Sequence, residues 1–186
     1  MRKRSFQIAM LILMTVVFIP ASAPGIFAGT PQINARLVRQ IRQELKTLPY
    51  YGVFDWLEFE LKPDNTVVLR GYVTRPTTKS EAEARVKDIA GVKGVINEIQ
   101  VLPVSPNDDR LRIALYRQLY NWDSPLFRYA TQAIPSIHII VDGGRAILKG
   151  VVSSKADAQL AYMRARSVPG LFDVKNELAV EGELPG

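Results

Sequence analysis

The sequence contains no cysteine. That removes disulfides, thiol nucleophiles and thiolate metal sites together, and it excludes lipoprotein processing, which needs a cysteine to acylate. Histidine occurs once, as His138. Its strand neighbours are aliphatic, so spacing suggests neither a Ser-His-Asp arrangement nor a general-base pair, and it reads as an outward-facing strand residue. No carboxylates stand at metal-ligand spacing: Asp108-Asp109 read as a helix start, and Glu181 with Glu183 as a solvated tail. Gly143-Gly144 leads into a strand and lacks a following P-loop lysine, so it reads as a tight turn and not as a phosphate cradle. No catalytic residue, cofactor or metal is expected.

A long apolar run is also lacking. Ile8–Ile19 is too short to span a bilayer comfortably, which takes about 20 apolar residues, and extending it to Phe27 would cross Pro20, Pro24 and Gly25. Preceded by Arg2, Lys3 and Arg4 and followed by small residues, it has the order of a secretory signal peptide over residues 1–28, with cleavage after Ala28. Retention as an anchor is the alternative. The formal charge of +6 falls to about +3 without those three basic residues, which suits attraction to an anionic surface but not nucleic-acid binding.

What the chain does have is a repeat. Leu69–Val101 lies over Leu148–Val180 without a gap, with identities at Leu69/Leu148, Gly71/Gly150, Val73/Val152, Ala82/Ala161, Arg85/Arg164, Gly91/Gly170, Val95/Val174, Asn97/Asn176, Glu98/Glu177 and Val101/Val180. Two copies of a unit of about 70 residues indicate tandem small domains, not a solenoid.

Each copy opens on an amphipathic helix. Thr30-Pro31 starts the first, with Ile33, Leu37, Ile41, Leu45 and Leu48 on one stripe; Pro106-Asn107 starts the second, with Leu111, Leu115, Leu119 and Trp122. Leu57, Phe59 and Leu61 alternate with Glu58 and Glu60, and a Pro63-Asp64-Asn65 turn sets Leu61 opposite Val67, Phe59 opposite Leu69, and Glu58 opposite Arg70. In the second copy Ile137, Ile139 and Val141 form the dry face, and Gly143-Gly144 makes a primed two-residue turn toward Ala146 and Leu148. Thr78 with Glu81, and Ser154 with Asp157, have capping-box spacing before the next helix. That helix buries Ala82, Val86 and Ile89, or Ala161, Ala165 and Val168, and ends at Gly91 or Gly170. Val95, Ile99 and Val101, or Val174, Leu178 and Val180, supply the last strand.

The fold class is therefore α+β: two tandem α-β-β-α-β modules, each a small three-stranded mixed sheet with two helices on one face. The expected boundaries are 30–102 and 107–181, with a stiff linker over 103–106 and a tail over 182–186. The second sheet faces stay wet unless the modules cover one another, so a compact pair is expected.

The strand ending Leu-Arg/Lys-Gly, its Tyr/Val-Val-Thr/Ser continuation, the alanine-containing helix, and Gly-Val-Lys-Gly-Val-Ile-Asn-Glu-Ile or Gly-Leu-Phe-Asp-Val-Lys-Asn-Glu-Leu resemble the BON (bacterial OsmY and nodulation) domain family over Asn34–Leu102 and Asn107–Val180. The resemblance implies a non-enzymatic, periplasmic envelope protein that associates with phospholipid surfaces and is linked to envelope stress. The second copy departs from it by about six extra residues between its first helix and first strand.

That departure holds the stretch most suited to a bilayer interface. Tyr120, Trp122, Leu126, Phe127, Arg128 and Tyr129 mix rings that settle at headgroup depth with an arginine that meets phosphate, and they are the lipid-contact candidates, core packing being their rival. Arg36, Arg39, Arg42 and Lys46 line the polar side of the first helix. Gly71, Gly91, Gly150 and Gly170 are structural repeat positions, as are Asn97 and Asn176, whose amides are expected to tie down the glycine turn before them. The expected partner is an anionic phospholipid surface; the second reading is a soluble adaptor or chaperone-like protein that binds other envelope proteins.

Overall fold

The computed structural model describes residues 31–182; residues 1–30 and 183–186 lie outside it, the expected signal peptide over 1–28 and the Thr30 cap among them, as do the side chains of residues 31–34, Ile33 included. The chain runs α1 (Pro31–Lys46), β1 (Trp56–Leu61), β2 (Thr66–Val73), α2 (Pro76–Lys87), β3 (Gly94–Asn97), β4 (Gln100–Val101), α3 (Pro106–Leu119), a 3₁₀ turn (Pro125–Ala130), β5 (Ile137–Asp142), β6 (Arg145–Val152), α4 (Lys155–Arg166) and β7 (Asp173–Val180). The element order of the first half recurs in the second.

Both hairpins take the register expected of them. Leu61 faces Val67 and Phe59 faces Leu69 across β1 and β2, while Val141 faces Ala146 and Ile139 faces Leu148 across β5 and β6. Gly143 and Gly144 both have positive φ, as a primed turn requires. The crossover helix then returns each chain parallel to the hairpin's second strand, with Leu69 opposite Asn97 and Leu148 opposite Asn176. In the first half this last strand is in two pieces. Val73 still faces Val101 at an unchanged offset, so nothing is inserted. The ladder is interrupted where the Asn97 Oδ1 accepts the Ile99 amide at 3.2 Å.

Two apolar cores result. Leu37, Ile41, Leu45 and Leu48 of the first helix region meet Val67, Leu69, Val73, Ala82, Val86 and Ile99. Leu111, Leu115 and Leu119 meet Ile137, Ile139, Val141, Leu148, Ala161 and Ala165 in the second. Val101, expected on the dry face, is 38 % exposed. The capping box holds only in the second copy: the Ser154 hydroxyl accepts the Asp157 amide at 3.1 Å. In the first, α2 begins at Pro76 behind an uncapped Arg75, which places Thr78 inside the helix and buried.

The two halves meet through a short segment that the sequence patterns do not mark. Val53 and Phe54, just before β1, pack into the second core. The Val53 carbonyl accepts the Ile139 amide at 2.8 Å, so this segment lies along the outer edge of β5. Asp55, only 2 % exposed, fixes it from the other side: its carboxylate accepts Gly52 N at 3.0 Å, Thr74 N at 2.7 Å and the Thr74 hydroxyl at 3.0 Å.

Candidate functional site

The aromatic segment separates into an inward and an outward set. α3 ends at Leu119, Tyr120 leaves the helical region, and Ser124 starts the 3₁₀ turn by accepting the Leu126 amide at 3.1 Å. Three residues per turn put Leu126 and Tyr129 on one face of it, and that face covers the second core. Tyr120, Leu126 and Tyr129 are 6 %, 0 % and 7 % exposed. They are core residues and not lipid contacts, contrary to the expectation from composition. The Tyr120 hydroxyl donates to the Ile137 carbonyl at 2.6 Å, and burial raises its pKa well above the ordinary phenol value.

Trp122 and Phe127 face the other way. Because the helix stops short of it, Trp122 leaves the α3 stripe on which its spacing had set it and is 79 % exposed. Its ring lies 4.7 Å from that of half-buried Phe127, making one outward apolar ledge. Arg128, exposed beside Phe127, donates from Nη2 to the Asp157 carboxylate at 2.6 Å. Tyr129 and Ser154 hydroxyls donate to the same oxygen at 3.0 and 2.7 Å. Burial works against the Asp157 charge, but Ser154, Tyr129 and Arg128 together hold its carboxyl below the usual carboxylate range. The ledge is thus pinned to the start of α4.

The repeat positions act structurally. Gly71 and Gly150 have φ near +123 and +124, and a Cβ there would stand 2.0 Å from the Trp56 carbonyl oxygen and 1.9 Å from that of Ser136. Gly91 and Gly170 take positive φ after their helices. Asn97 and Asn176 do not tie down the preceding turn, as expected; each bridges helix and strand instead. Asn97 Nδ2 donates to Lys79 O at 3.0 Å, and Asn176 Nδ2 to Ala158 O at 3.0 Å. Their Oδ1 atoms accept the amides two residues on.

Three further side chains differ from their sequence reading. His138 is not outward but 6 % exposed, since the first half covers that side of β5. Asp108 does stand in the first turn of α3, as expected, but it is more than a helix start: buried at the tip of the β5–β6 hairpin, its carboxylate accepts Gly143 N at 3.0 Å and Gly144 N at 2.9 Å. Glu58 faces Arg70 by register, yet Arg70 pairs with Glu60 at 2.9 Å and Glu98 at 2.8 Å, while Glu58 reaches across to Lys149 at 3.8 Å. Lys149 also pairs with Glu177 at 2.8 Å. Glu58, Arg70, Tyr72, Gln100 and Lys149 line a polar cleft of about 230 Å³ between the halves. Among the described residues no three His, Asp or Glu side chains converge on a metal position, and no helix is long and apolar enough to cross a membrane.

The BON domain profile matches residues 34–103 and 124–182. The first matched segment takes in all of the first sheet, and the second begins at the 3₁₀ turn and leaves α3 out. A search of curated proteins gives no match. Among solved structures, two of CdsD, a structural protein of the type III secretion system of Chlamydia trachomatis, are similar. One shares 13% identity over 81% of this chain and 100% of its own, at a TM-score of 0.30; the other, its C-terminal domain, shares 14% over 80% and 98%, at 0.28. With two matched segments that together take up well over half the sequence, each laid over one parallel-closed sheet, this chain belongs to the BON domain family.

Proposed function

We propose that this protein works at the cell envelope as a non-enzymatic, membrane-associated module, and that it touches anionic phospholipid through the Trp122–Phe127 ledge and the neighbouring Arg128. The BON domain is a non-catalytic family commonly associated with membrane and envelope. The observation that carries the reading is Trp122, a large ring 79 % exposed that packs at a tilt against a second ring instead of on the core. An indole in that position gains by settling at headgroup depth, and a basic side chain beside it meets phosphate. The order of residues 1–28 supports export to the periplasm.

Flotation of the full chain with vesicles of anionic or zwitterionic phospholipid tests the reading. Binding to the anionic vesicles, weakening as salt rises, and lost in Trp122→Ala/Phe127→Ala is the expected result. Equal flotation of the double variant would overturn the assignment of the ledge, and no flotation at low salt would overturn the lipid reading as a whole.

A further inference from the structure

The chain's single imidazole sits where the two halves join. His138 projects from β5 toward the first half, with the Tyr51 ring 5.7 Å and the Trp56 ring 5.1 Å from its own. Its Nδ1 lies 2.5 Å from the Asp55 carbonyl. The next residue supplies the Ile139 amide that bonds to Val53. Side-chain and main-chain contacts of β5 with the first half are therefore adjacent.

We propose that His138 is a proton-operated latch on this seam: when its imidazole takes up a proton, residues 52–56 release β5 and the halves part while each keeps its own core.

The neutral ring, donating from Nδ1, satisfies the closed arrangement. A charged ring finds little to neutralise it. The Asp55 carboxylate is taken up by Gly52 and Thr74, and the Glu58 carboxylate lies 3.8 Å from the Lys149 ammonium. Tyr51 offers a neutral phenol, its pKa pushed up to about 12 mainly by burial. Lys149, the residue opposite His138 on β6, is itself cationic, and Glu177 on β7 beyond it is held by the Lys149 ammonium at 2.8 Å. Burial lowers the proton affinity of His138, and the Asp55 and Gly52 carbonyls with the Asp55 charge restore it only in part. The sign follows: a base whose pKa is depressed in the closed form supports closure above its free value and withdraws that support as pH falls.

With one histidine, one imidazole resonance of the full chain reports the titration directly. Hydrogen exchange across the same pH series is read as protection factors at Ile139 on the seam and at Leu69 and Leu148 in the two cores. Protection at Ile139 should fall with the imidazole titration, by at most about tenfold per pH unit, the limit for one proton, while Leu69 and Leu148 hold theirs. His138→Asn, which keeps a donor near the Nδ1 position and cannot ionise, should make the Ile139 profile flat. Unchanged protection through the titration, an equal fall in His138→Asn, or a simultaneous fall in both cores would each overturn the latch. Should the variant not fold, the wild-type midpoints decide: seam opening that does not coincide with the imidazole titration overturns it equally.

Discussion

At Gly71 and Gly150 the backbone turns left-handed under the start of the neighbouring strand, and a side chain would meet a carbonyl oxygen at about half a contact distance. Gly71→Ala and Gly150→Ala should each cost roughly 3 kcal/mol or more, read as a lower midpoint in urea, because neither backbone can yield without breaking its hairpin. The repeat made both positions visible in the sequence, and so did the paired asparagines; what pairing did not reveal was their partner, since the helix carbonyl that each amide meets is set by packing. Asp157 shows the opposite limit. Its capping role was readable from Ser154 three residues earlier, whereas Arg128 and Tyr129 reach it from a distant segment. As its pKa is depressed, the stability it contributes is present above the ordinary aspartate value and lost as pH falls through its lowered one. Thermal melts of wild type and Asp157→Asn should therefore differ at neutral pH and converge in strong acid.

Among the elements, the connection between α3 and β5 is where composition misleads. Aromatics and arginine there suggested one interfacial face, but a 3₁₀ turn has its own periodicity and divides them. Leu126→Ala should destabilise by about 2–5 kcal/mol, since a fully buried leucine leaves a cavity. Trp122→Ala should change stability by less than about 0.5 kcal/mol, being mostly in solvent. Chemical denaturation of the two variants side by side measures this division independently of any lipid assay. Strand order and the register of both hairpins were legible, because period-two patterning and turn length fix them; the register of the parallel strands and the break between β3 and β4 were not. The buried Asp108 was not: nothing local distinguishes a carboxylate at a helix start from one that also closes a hairpin far along the chain.

For the whole molecule, a close pairing of the halves was expected from the wet sheet faces, but the means was not. Val53 and Phe54 stand in a stretch with no periodicity, and only the fold shows that they complete the other half's core. Phe54→Ala should lower stability by about 1–3 kcal/mol and separate the unfolding of the halves, so that calorimetry shows a broadened or double transition where wild type gives one. This borrowed packing has a direction in time. A chain made or threaded N-terminus first presents Val53 and Phe54 to water before β5 and α3 exist to receive them, so the earlier half must wait, with two apolar side chains bare, until its twin arrives.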